Sequence, residues 1–146
     1  IFGTLNHRRT KDVEFSWDNA LNFNGETGPY VQYAHARLCS ILRKAGDDPR
    51  GAANVELLTH DAEWALVKEL ARFPEVVEEA CAQYEPSCVA RYAVDLARAF
   101  TVFYDQCRVL GEEPELSAAR LSLVNTTRVV ISSALHLLCM KTPERM

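Results

Sequence analysis

From Thr27 onward the apolar residues recur at helical spacing. Placed at steps of ~100°, Val31, Ala34, Leu38, Ile41, Leu42 and Ala45 share one arc. Tyr33, Arg37, Ser40 and Lys44 form a second stripe beside it, with Tyr30 between the two. Thr27 is a good N-cap, Pro29 fits the first turn because its missing donor would be unpaired there anyway, and Gly46 ends the helix. The breakers in 46–58 predict a surface loop. A second helix follows over about 60–73, with Leu66, Leu70 and Phe73 on one side. Pro74 and Pro86 each suit a first helical position and mark new helices at about 74–84 and 86–108. In the latter, Val89, Ala93, Leu96, Phe100, Phe103 and Cys107 make the apolar face. A last helix opens near Pro114 and runs to about 139, lined by Leu116, Leu123, Val130, Ile131, Ala134, Leu137 and Leu138. About five helices, short connections and no convincing strand after residue 25 predict an all-α helical bundle.

Residues 1–25 read differently. They open basic, with His7, Arg8, Arg9 and Lys11, and Phe15 and Trp17 then alternate with polar residues. That pattern predicts a short extended segment, too small for a core of its own, ahead of a helical unit over 26–146. The chain opens at Ile1 rather than methionine, as a piece of a longer protein would.

Composition narrows the partners. With 146 residues, 48% hydrophobic and 25% charged, the chain can bury a core without metals or disulfides. The formal net charge is −4 and the isoelectric point about 5.6, so the molecule-wide positive field of a non-specific nucleic-acid binder is excluded. Any RNA contact has to come from a local patch. The five cysteines (Cys39, Cys81, Cys88, Cys107, Cys139) are odd in number and form no Cys-x-x-Cys. Four of them sit in apolar-periodic stretches, which predicts reduced structural thiols and a cytoplasmic protein. The histidines show no ligand spacing, so no metal site is predicted. No run of ~18 apolar residues suggests a membrane span, and no signal peptide is readable.

Several stretches carry a family resemblance. The run Gly25-Glu26-Thr27-Gly28-Pro29-Tyr30-Val31-Gln32-Tyr33-Ala34-His35-Ala36-Arg37 resembles the signature that opens the anticodon-binding domain of arginyl-tRNA synthetases. The stretch 12–21 (DVEFSWDNAL) looks like the segment preceding it. Arg72-Phe73-Pro74-Glu75-Val76-Val77, Asp95 to Phe100 with Phe103-Tyr104, and Ala119-Arg120-Leu121 resemble later parts in the family's order. The end at Pro143-Glu144-Arg145-Met146 is similar to how these synthetases end. The resemblance implies a helical domain of the DALR type that grips the anticodon stem and loop of arginine tRNA, with no DNA or membrane partner. It also implies a parent class I enzyme, arginine–tRNA ligase, whose catalytic domain uses ATP, magnesium and arginine. The class I catalytic signatures are missing here, so these residues are expected to hold no cofactor and not to charge tRNA themselves. Residues 1–25 would then be a remnant of the join to that catalytic domain.

RNA loops are read by splaying bases out and stacking them on aromatic or guanidinium planes. Each stacked base contributes roughly 1–3 kcal/mol. The first helix offers Tyr30, Tyr33, Arg37 and Lys44 beside its apolar arc. By resemblance, Tyr30 and Tyr33 lie at the anticodon loop, and Tyr104 and Met146 line a pocket for a flipped base. Arg108, one turn past Tyr104, stands where relatives vary, and an arginine there can stack or pair with phosphate. The plainer alternatives are core-edge tyrosines, a frayed terminal methionine and solvated charges. His35, at the arc's margin, reads as structural. Arg120 falls inside the apolar arc of the last helix and needs a partner, for which Asp95 is a candidate. The competing function is a helical protein-interaction module without RNA binding, favoured by the acidic stretch 75–79. It would leave Tyr30, Tyr33 and Met146 apart. The related domain of a cysteine-specific synthetase is disfavoured by GPYVQYAHAR.

Overall fold

The computed structural model describes residues 2–7, 16–20, 25–46 and 54–146. Two single helical turns come first, α1 (Phe2–Leu5) and α2 (Trp17–Ala20). Then come α3 (Gly28–Ala45), a 3₁₀ turn (Val55–Leu57), α4 (Asp61–Ala71), α5 (Phe73–Gln83), α6 (Ser87–Gln106) and α7 (Pro114–Leu137). Among the described residues there is no strand, and α3 to α7 are the five helices that periodicity predicts. The extended N-terminal segment does not appear where it can be checked. Phe15 lies outside the described residues, and Trp17 opens a helical turn rather than an extended strap. In α1 the turn aims Phe2 into the core while Gly3 and Thr4 face outward.

Local chemistry fixes the helix ends. Thr27 Oγ1 accepts the backbone N–H of Tyr30 at 3.3 Å, and Gly46 closes α3 at φ 76° in the left-handed region. At the start of α4, His60 Nδ1 accepts the Ala62 N–H at 3.1 Å, and Glu63 Oε2 accepts the His60 N–H at 2.8 Å. This reciprocal pair is a capping box built on histidine. Arg72 ends α4 and precedes α5 directly, so the two helices meet without a loop. Tyr84 ends α5 at φ 53°, a left-handed cap without glycine.

The central element is α6, which packs against α3, α4, α5 and α7. It buries residues on nearly all sides: Tyr92, Val94, Leu96, Ala97, Phe100 and Phe103 are within the core. Alanines at 90, 93 and 97 let neighbouring helices approach closely. Helices α3 and α7 pack on each other as well as on α6, so the long first and last helices form one side of the bundle. Leu137, placed on the apolar face of the last helix by periodicity, is mostly exposed instead, because α7 ends there and the chain turns away.

One buried ion pair ties the layers together. Arg120 Nε donates to Glu63 Oε1 at 2.6 Å, with the glutamate side chain 1% exposed and the arginine 12%. The partner is therefore Glu63 and not Asp95, which lies beside Arg98 at 3.7 Å on the surface of α6. Arg120 also donates through Nη1 to the Arg108 carbonyl at 2.8 Å. A single side chain on α7 thus anchors both the start of α4 and the segment leaving α6. All five cysteines are free thiols. Cys39 and Cys107 are buried, but Cys81 and Cys139 are exposed, so the structural-thiol reading fails for those two: helical spacing alone does not say which arc has a neighbour.

Candidate nucleic-acid interface

Because Thr27 and Gly46 set the limits of α3, its second stripe runs unbroken along the helix beside the apolar arc. Tyr33 is 46% exposed there, and Lys44 is exposed in the last turn of the helix. Arg37 is half-buried, and its guanidinium carbon stands 4.2 Å from the centre of the Tyr104 ring. Stacking of this kind holds the guanidinium plane in one orientation and contributes ~0.5–2 kcal/mol, depending on exposure. Tyr104 is in turn backed by Phe100, whose ring centre lies 6.0 Å away at 48°. A buried phenylalanine, a half-buried tyrosine and an arginine therefore form a stepped stack from the core to the surface.

Beyond Tyr104 a groove of about 430 Å³ opens between α3 and the end of α6, lined by Ile41, Lys44, Tyr104, Arg108 and the chain to Leu110. Arg108 sits on its rim, where Nε donates to the Leu110 carbonyl at 3.0 Å. Gly111, at φ 83°, leaves room for that guanidinium, since a Cβ there would stand 3.1 Å from Arg108 Nη2. The carbonyl of Arg108 is the one held by Arg120, so the groove wall is fixed from the core side.

The C-terminal tail runs along a different face of α3. Its main chain is held to α3 by Gln32 Nε2, which donates to the Lys141 carbonyl at 2.8 Å, and by His35 Nδ1, 3.0 Å from the Pro143 carbonyl. Arg43 donates through both terminal nitrogens to the Glu144 carbonyl at 3.3 and 3.4 Å. Met146 lies two residues past that anchor and is 60% exposed.

Of the six residues singled out by sequence, Arg37 and Tyr104 are in contact, and Tyr104 and Arg108 share the groove. Tyr33 lies on the same stripe, and Met146 ends the tail, which is held on another face of α3. Tyr30 stands apart, half-buried against the core in the first turn of α3. Sequence reasoning missed Ile41 as a groove residue and the tail-holding roles of Gln32, His35 and Arg43. No local signal announces those contacts, because their partners are more than a hundred residues away. His35 is nonetheless buried, in line with its structural reading, but its bond crosses to the tail rather than bracing its own helix.

Burial pushes the thiols of Cys39 and Cys107 above their ordinary range; nearby Arg128 offsets this partly for Cys39, and Glu63 adds to it for Cys107. Burial likewise raises the Tyr92 phenol, with Glu69 adding to the effect; its hydroxyl donates to the Glu69 carbonyl at 2.9 Å. These groups are buried or half-buried, and Cys107 also lines the groove. Among the described residues no group of three or more His, Cys, Asp or Glu side chains is placed to hold a metal ion. No helix among them is long and apolar enough to cross a membrane.

The fold and this stripe define an all-α module with an aromatic and basic strip along one long helix. Residues 31–146 match the family described as the DALR anticodon binding domain, and the chain belongs to that family. Its whole length is 43% identical to part of the arginine–tRNA ligase of Alkaliphilus metalliredigens and 44% identical to part of that of Ligilactobacillus salivarius. It covers 26% of each. Among solved structures, an arginyl-tRNA synthetase from Thermus thermophilus superposes with a TM-score of 0.93 at 38% identity, over 99% of this chain and 25% of that one. The Plasmodium falciparum arginyl-tRNA synthetase superposes with a TM-score of 0.83 at 32% identity, over 99% and 26%. The chain thus spans about a quarter of the length of the relatives it matches.

Proposed function

We propose that residues 26–146 bind the anticodon stem and loop of arginine tRNA and position that tRNA for ATP-dependent aminoacylation. The aminoacylation chemistry, with its ATP, magnesium and arginine, belongs to a catalytic domain in the same cytoplasmic protein, and residues 1–25 lead toward that domain. The observation that carries the reading is the stacked Arg37–Tyr104 pair beside exposed Tyr33, on the helix that bears the family's signature.

The geometry supports a division of labour. Tyr33 offers a free ring face for a splayed base. Arg37, held flat by Tyr104, offers a guanidinium plane that can stack on a base or pair with phosphate. The groove bounded by Tyr104, Arg108 and Lys44 falls in the size range of small-ligand pockets, ~300–1,000 Å³, and admits a single flipped base. Met146, exposed at the end of the tail, is the further side chain assigned to a flipped base. Tyr30, braced in the first turn, orients the helix and meets the loop with its exposed edge. Arg37, Lys44 and Arg108 supply the local positive field that a chain of net charge −4 otherwise lacks.

The test is binding of a fluorescent anticodon stem–loop to the chain and its variants. Tyr33→Ala is expected to weaken binding by roughly 1–3 kcal/mol, the value of one stacked base. Tyr104→Phe is expected to leave it within about twofold, since the ring face is kept. Unchanged affinity in Tyr33→Ala and in Arg37→Ala would remove the strip from the RNA interface.

A further inference from the structure

We propose that Arg98 on α6 is a phosphate-binding residue of the RNA strip, serving the end of it that the tyrosines of α3 occupy; this rests on the function proposed above. Aromatic platforms for RNA work beside cations that follow the phosphate backbone. Along α3 the two are unevenly shared. From Gly25 to Ala36 there is no lysine or arginine, and Arg37, Arg43 and Lys44 all come later. The helix therefore brings Tyr30 and Tyr33 to the strip with no cation of its own beside Tyr30.

Helix α6 supplies one. The two helices run side by side in the same direction. Glu26, just before α3, meets Arg98; Arg37 meets Tyr104; and Lys44 shares the groove with Arg108. At ~1.5 Å per residue, Tyr30 lies about 10 Å before Arg37 on α3, and Arg98 about 9 Å before Tyr104 on α6. Arg98 thus falls level with the first turn of α3. Tyr30 is near enough to add to the electrostatic environment that, chiefly through the Glu26 bond, raises the Arg98 guanidinium above its ordinary range.

The side chain is open to a ligand. It is 53% exposed, and its Nη2 donates to Glu26 Oε1 at 2.8 Å. Asp95 Oδ1 stands 3.7 Å from Nη1, too far for a hydrogen bond. A guanidinium carries five N–H donors in a fixed fork. Glu26 occupies one side of that fork and leaves the other for a phosphate oxygen. An exposed pair of this kind is weak and screened by salt, so a phosphate can also displace Glu26 outright. Phosphate contacts carry no base preference. Arg98 therefore adds affinity and salt dependence, while Tyr33 and the groove choose the base.

The experiment titrates a fluorescent anticodon stem–loop, native or with its central base changed, into the full chain across a series of salt concentrations. Arg98→Ala should weaken binding to both loops by the same factor, about fivefold at low salt. It should also lower the slope of log affinity against log salt by roughly 0.7–0.9, the value of one phosphate contact. Arg98→Lys, which keeps the charge, should restore most of both. Lys68→Ala removes a cation exposed on α4 and should leave affinity and slope as they were. Glu26→Ala breaks the same tie between α6 and the start of α3 but keeps the cation. It should bind no more weakly than the unaltered chain, and up to about threefold tighter. Equal weakening by Glu26→Ala and Arg98→Ala would mean that the tie matters and not the cation, and would overturn the proposal. So would an unchanged salt slope in Arg98→Ala, even where the unaltered chain prefers the native loop and the function proposed above stands. Failure of the unaltered chain to bind either loop would remove that function and the role of Arg98 with it.

Discussion

Replacing Arg120 by alanine leaves a glutamate that is 1% exposed without its cation. Breaking a buried pair from one side costs about 3–5 kcal/mol, mainly because the remaining charge is stranded. The loss includes the Arg120 bond to the Arg108 carbonyl, whose acceptor can still reach water. For a domain of this size, each kcal/mol shifts Tm by roughly 3 °C, so Arg120→Ala should melt about 10–15 °C below the parent. Arg98→Ala is the matched control. Its pairing with Glu26 at 2.8 Å joins side chains that are 53% and 56% exposed, and exposed pairs contribute ~0–1 kcal/mol. Its melting point should therefore stay within about 3 °C of the parent. A double change, Arg120→Met with Glu63→Leu, should recover much of the loss but not all, since Glu63 also caps the His60 N–H and a lost cap costs about 1 kcal/mol. Thermal melts followed by circular dichroism decide the matter. Equal, small shifts for Arg120→Ala and Arg98→Ala would refute the view that this pair holds α7, α4 and the groove wall together.

Maleimide labelling of the native chain at neutral pH should reach exposed Cys81 and Cys139 first, while Cys39 and Cys107 react only after unfolding; peptide mass spectrometry reads the order. Folded-state burial raises the thiols of Cys39 and Cys107 and the phenol of Tyr92. Their contribution to stability is complete below the unfolded values and is lost as pH rises through the raised ones. Urea midpoints should accordingly fall above about pH 9, the ordinary thiol range, and a flat profile to strongly alkaline pH would contradict this. Tyr84→Gly should raise stability by about 0.5–1 kcal/mol, because the left-handed cap at φ 53° suits glycine and the exposed ring loses little packing. A lowered urea midpoint would show that the ring matters more than the backbone.

The helices were legible because their boundaries are written locally. Thr27, Pro29 and Gly46 delimit α3, and Pro114 opens α7, each by backbone chemistry that needs no distant partner. Long-range pairings were not legible. Helical phase put Arg120 on an inward arc, but only the packing of α7 on α4 selects Glu63 over Asp95. The N-terminal residues misled for a similar reason: alternation around Trp17 resembles a strand, yet among the described residues there is no sheet to receive one. In the candidate site, Arg37 and Tyr104 came from the family signature, and their stacking could not be foreseen from either helix alone. The tail contacts of Gln32 and His35 were invisible because main-chain acceptors leave no mark in sequence.

The most direct measurement of the central claim is the affinity of this chain for the arginine-tRNA anticodon stem–loop, beside one with its central anticodon base changed, at two salt concentrations. The account predicts tighter binding to the native loop at both salts, with affinity falling as salt rises because phosphate contacts release counterions. Equal binding to both loops, or none to either, would contradict it and favour a helical interaction module whose partner is a protein.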